Sequence, residues 1–161
     1  MSLKTLLESL KNEEIKLYKI TKLSLQNSYN KLNEICINSL LFILYYLEKN
    51  NYTLSHICLN DFEFHDQVLF LVKDTHIVEL INNEYLYDVK PKEKIEFIPK
   101  DIQDKNNIQM LYKSVGLFMY YLVTQKIKRE INDKDLSTIY YSKPYFFIKN
   151  TLDSNPCLIY I

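Results

Sequence analysis

Residues 54–81, LSHICLNDFEFHDQVLFLVKDTHIVELI, decide how the chain is read. Within them VLFLV (68–72) and HIVELI (76–81) are short apolar runs rich in branched side chains, separated by Lys73, Asp74 and Thr75. Two such runs with a short polar link predict the strands of one β-hairpin. The stretch before them, LSHICLNDFEF (54–64), reads as a loop between two hydrophobic elements.

Outward from that hairpin the period is helical. Upstream, Leu32, Ile35, Cys36, Leu40, Ile43, Leu44 and Leu47 recur at three and four, which predicts a helix from about 30 to 49 ending at the polar pair Asn50-Asn51. Before it, SLKTLLESL (2–10) has a capping Ser and leucines on one face, and a further helix is expected over roughly 12–27. Downstream, Pro91 and Pro99 mark an irregular connection over about 82–100. A strongly apolar helix is expected over 107–125, and its interior Gly116 predicts close approach by another backbone. Shorter helices are expected over 133–139 and 144–154, the second opened by Pro144 in its first turn.

Composition bounds the function. The chain has 161 residues, 47% of them hydrophobic and 25% charged, which suits one domain, residues 1–161, closing one core. Lysine plus arginine equals aspartate plus glutamate at 20 each, so no overall field favours nucleic acid or an anionic membrane. Locally the balance breaks: residues 60–88 hold seven acids and one base. Cys36, Cys58 and Cys157 form an odd set without paired spacing, which argues against a disulfide framework or a zinc site and suits a reducing compartment. With no bilayer-length apolar run and no secretory pattern at the start, the reading is a soluble cytoplasmic protein without membrane insertion. A single glycine removes the Gly-rich phosphate loops of nucleotide-binding folds, and no cofactor is expected.

The order of elements, with LSHICLNDFEF between a long helix and the hairpin, resembles the C-terminal lobe of a protein kinase without its N-terminal lobe. Laid on the kinase catalytic loop HRDLKPEN, His56 and Leu59 keep structural positions, while Cys58 stands for the catalytic Asp, Asn60 for the Lys and Glu63 for the metal-binding Asn. At the DFG triplet stand Ile81, Asn82 and Asn83. Pro99-Lys100 takes the place of the Pro-Glu of the APE motif, Ser114 and Gly116 that of a helical S-x-G, and Asn155-Pro156 with Ile159 that of the late D-P-x-x-R. The Glu of the first motif and the Arg of the last form an ion pair in kinases, and here both are gone together. A lone C-lobe with dead motifs is similar to the kinase non-catalytic C-lobe domain (KIND), a peptide-binding module of actin-nucleation scaffolds, or to a pseudokinase fragment. The resemblance implies a mainly α fold with a small β-hairpin (α+β), kinase C-lobe-like, and no phosphoryl transfer.

Candidate residues follow from both readings. A cleft lined by one sign of charge attracts the opposite sign, so Asp61, Glu63, Asp66, Glu79, Glu84 and Asp88 are expected to receive a basic or amphipathic peptide of a protein partner. The set His56, Cys58, Asn60, Glu63 and Asn82 marks the degenerate catalytic positions. His56 with Cys58 has the residue types of a thiol–imidazole catalyst but lacks an oxyanion-forming turn. His56, His65, His76 and Glu63 have metal-ligating types at irregular spacing, and no metal is expected. Tyr140, Tyr141, Tyr145, Phe146 and Phe147 are a dense aromatic group expected mainly to close the last helix onto the core. The expectation is a non-enzymatic interaction or scaffold module of a cytoskeletal or signalling assembly. The alternatives are a structural subunit that self-associates and a half-kinase completed by another chain.

Overall fold

The computed structural model describes residues 22–65, 68–87, 97–140 and 142–153. The helix expected over 2–10, residues 88–96 of the irregular connection expected over 82–100 and the positions of Asn155, Pro156, Cys157 and Ile159 lie outside them, while the described start of that connection is not irregular but holds a strand, Glu84–Leu86. The chain divides into two compact units, one holding residues up to Ile43 with Leu59–Thr75, the other Leu44–Cys58 with His76 onward.

Helix α1, Lys22–Lys49, contributes to both units. It starts earlier than the expected residue 30 and takes in the C-terminal part of the helix expected over 12–27. It stops where expected, because Asn51 turns left-handed at φ 61°. Asn tolerates that conformation better than a branched residue does.

In the first unit, strands β2 (Phe62–His65) and β3 (Val68–Leu71) pair antiparallel, Phe62 opposite Leu71 and Glu63 opposite Phe70. Among the described residues its buried apolar side chains are Cys36, Ile37, Leu40, Leu59, Phe62 and Leu69, and the Leu69 N–H reaches Ser39 Oγ at 3.5 Å. Burial pushes the Cys36 thiol up to about 12, so it serves as a small apolar filler.

The second unit carries the remaining strands. Strand β1 (Tyr52–Leu54) pairs antiparallel with β4 (Ile77–Glu79), and β5 (Glu84–Leu86) with β6 (Lys105–Asn107). Helix α2 (Ile108–Thr124) follows, capped by the Asn107 side chain on Gln109 N–H at 3.1 Å. A 3-10 helix (Asp133–Ile139) and helix α3 (Lys143–Leu152) complete it, with Pro144 in the first turn of α3 as its spacing predicts. Leu111, Val115, Leu117, Phe118 and Leu122 of α2 are buried, as are Phe147 and Ile148 of α3. Phe97 meets Phe118 edge to face with centroids 5.4 Å apart.

The expected hairpin does not form. VLFL pairs backwards with FEFH, from which two residues separate it, and IVE pairs with YTL at the foot of α1. Both runs are strands, but the link Lys73-Asp74-Thr75 joins strands of different sheets and different units. Closure across two residues is entropically the shorter route, and the alternation of FEFH offers the matching pleat. The mainly α, kinase C-lobe-like fold with one hairpin therefore gives way to a small α+β arrangement with three two-stranded antiparallel sheets among the described residues.

Candidate functional site

The site is built where α1 ends. Asn50 caps the helix by donating its side-chain amide to Tyr46 O at 2.9 Å, and the Asn51 carbonyl accepts from Leu80 N–H at 2.9 Å. That bond continues the β1–β4 ladder and brings Glu79, Leu80 and Ile81 beside Asn50, Asn51 and Tyr52. The chain then reverses through Asn82 and Asn83, with φ 52° and 62°, while Ile81 and Glu84 exchange N–H···O bonds of 2.9 Å in both directions. Two central residues with positive φ make a type I′ turn, the tight turn whose twist matches paired strands. Asn82, read from the sequence at a lost DFG position, thus has a backbone role here.

These residues line a cleft of about 500 Å³ in the second unit. Ile81 is 63% exposed and Tyr52 42% exposed, and Glu79 is the one charged residue among the described residues of the lining. An exposed aromatic and an exposed branched side chain around a carboxylate form a surface that gains by covering.

The other expected acids are dispersed. Glu84 pairs with Lys105 at 3.0 Å across β5–β6. Asp61 belongs to the first unit and is buried, its carbonyl accepting Val72 N–H at 2.8 Å, so it is not an open docking charge. Glu63, half-buried on β2, is in that unit too. Asp66 and Asp88 lie outside the described residues.

The degenerate-loop residues fall in both units. Asn60 is exposed in a 3-10 turn of the first unit (Leu59–Asp61). His56 is buried in the second, with Ser55 Oγ 2.9 Å from its Nδ1 and the His76 ring 4.3 Å away between centroids. The Tyr87 ring stands edge-on at 5.7 Å. Cys58 is half-buried, its Sγ within 4.8 Å of a His76 ring nitrogen. Of the metal-type set, the structure brings His56 and His76 together in the second unit and puts Glu63 and His65 in the first. The aromatic group splits as well: Phe147 is core, Tyr140 and Phe146 are exposed, and Tyr141 lies outside the described residues.

Sequence reasoning did not single out Tyr52, and it placed Ile81 and Asn83 only at the lost DFG triplet. The signal that could have found Asn83 is the Asn-Asn pair between two apolar runs, INNEYL, which is turn chemistry. Exposure of Tyr52 and Ile81 has no signature in the sequence, since it depends on what their segments pair with.

No protein family, no curated protein and no solved structure matches the chain. No helix among the described residues is long and apolar enough to cross a membrane.

Proposed function

We propose that the protein is a non-catalytic interaction module of the cytoplasm whose second unit receives a basic, amphipathic peptide segment of a protein partner. The observation that carries this is the cleft of Tyr52, Glu79 and Ile81, which sets exposed apolar side chains around one carboxylate without a compensating cation among the described residues of its lining. An apolar side chain of the peptide covers Ile81 and Tyr52, and a Lys or Arg beside it faces Glu79. The paired cleft residues are held by the β1–β4 ladder and the I′ turn, so little ordering is required on binding.

The test is fluorescence anisotropy of a labelled, capped Leu/Lys peptide titrated with the full chain at low and raised salt. Binding should weaken as salt rises and fall roughly ten-fold with Glu79→Lys, in the range of a hydrogen-bonded charge. Ile81→Ser should weaken it without changing its salt dependence. Binding that is indifferent to both substitutions would overturn the reading.

A further inference from the structure

Opposite in polarity to the Glu79 cleft, the second unit has another built depression, of about 590 Å³, walled by the 99–101 loop, α2, the 129–131 loop and the end of α3. Arg129, the chain's single arginine among 20 basic residues, stands in its lining. Its Nε donates to Ile98 O at 3.0 Å and its Nη2 to Pro99 O at 3.4 Å, while Lys100 N–H donates back to Arg129 O at 3.1 Å. These bonds tie two loops together and explain why a forked donor stands where lysine is the chain's habit.

They do not use the whole group. A guanidinium has five N–H donors, and the two engaged here leave both hydrogens of Nη1 and one of Nη2. That edge is the pair of parallel donors that fits a carboxylate. The two other cations of the lining are already matched, Lys113 with Asp101 at 2.9 Å and Lys100 with Glu130 at 3.4 Å, whereas no carboxylate among the described residues pairs with Arg129. Beneath the charges, Leu117, Ile131 and Leu152 supply an apolar floor.

We infer that this cleft binds a protein segment presenting a carboxylate side chain next to a large apolar side chain, the carboxylate on Arg129 and the apolar group on Ile131 and Leu152. Among the described residues of the lining the excess over the two matched pairs is a single positive charge, which suits a monoanion. A phosphate dianion would face Asp101 and Glu130 as well and be repelled. Three apolar residues accommodate one side chain rather than a long acyl chain, and the volume falls within that of small-ligand clefts.

The experiment is a chemical-shift titration of the full chain by heteronuclear NMR with acetyl-Leu-Glu-Phe-amide, whose only charge is the Glu side chain. The same peptide with Gln, and with phosphoserine, in place of Glu forms the comparison. Backbone amides of 100, 101, 113, 117 and 129–131 should shift together with the Glu peptide, and the Gln peptide should bind roughly ten-fold more weakly or worse. Arg129→Met should abolish the response while Leu152→Ala reduces it. Should Arg129→Met loosen the loops, seen as a lowered melting temperature, the Glu-against-Gln comparison on the unaltered chain still decides. Equal response to Glu and Gln, a stronger response to phosphoserine, shifts confined to other residues, or no response would each overturn the assignment.

Discussion

Gly116 shows how much a single position can carry. A Cβ built there would lie 2.1 Å from Thr151 Oγ1 and 3.1 Å from Thr151 Cβ, so α2 and α3 approach to a distance only hydrogen allows. The expected close approach is present, but the neighbour is a side chain of the last helix rather than its backbone. Gly116→Ala should destabilise the protein by about 1–3 kcal/mol despite the better helix propensity of alanine, because the overlap must be relieved by shifting a packed helix. Combining it with Thr151→Ala should recover part of the loss in denaturant unfolding, and strict additivity would contradict the contact. Tyr85 carries a different lesson. Its side chain is buried, its hydroxyl has no hydrogen-bond partner among the described residues, and burial followed by the neighbouring Tyr87 raises its pKa. Tyr85→Phe should therefore be neutral or stabilising by up to about 1 kcal/mol. A clear loss of stability in thermal melts would mean that the hydroxyl has a partner.

Among elements, the turns state their requirements most openly. Asn83 sits at φ 62° in the I′ turn, where glycine is the preferred second central residue. Asn83→Gly should be neutral or slightly stabilising, and Asn83→Val should cost about 1–2 kcal/mol, measured by chemical denaturation. The 3-10 helix Asp133–Ile139 is opened by a reciprocal capping box, Asn132 Oδ1 accepting from Asp135 N–H at 2.9 Å and Asp135 Oδ2 from Asn132 N–H at 2.9 Å. Asn132→Ala should cost about 1 kcal/mol in the same assay. The Asn132 backbone N–H, and after it the Lys128 ammonium, hold the Asp135 carboxyl below its ordinary range. A carboxyl whose folded pKa is depressed binds protons more readily when unfolded. Its contribution is present above the ordinary carboxylate range and is lost as pH falls through the folded value. Unfolding followed from neutral to acid pH should accordingly be less steeply pH-dependent for Asp135→Asn than for the unaltered chain.

At the level of the whole molecule, charge is balanced in sum and uneven in place. The net charge is zero with a pI near 6.8, so intermolecular repulsion is weakest near neutrality. Light scattering should show association greatest near that pH and reduced on either side. The acidic run 60–88 reads in sequence as one surface. In the folded chain it is shared between two units, with Asp61 buried in one and Glu84 matched to Lys105 in the other. A local count of charges could not reveal this, because matching depends on residues such as Lys105 that lie far along the chain.

The elements whose signal is local were legible in the sequence. The end of α1 at Asn50-Asn51, the span of α2, the first-turn Pro144 of α3 and a close approach at Gly116, though to a side chain and not a backbone, all followed from period, caps and side-chain size. The strands over 68–71 and 77–79 were legible as strands, since alternation and branching are properties of the run itself. Their partners were not. Pairing is a contest between segments, decided by loop-closure entropy and by which faces can be buried together, and neither is written in either run alone. For the same reason the candidate sites emerged only from the fold: the exposure of Tyr52 and Ile81 depends on what their segments pair with, and the open edge of Arg129 on two carbonyls about thirty residues before it.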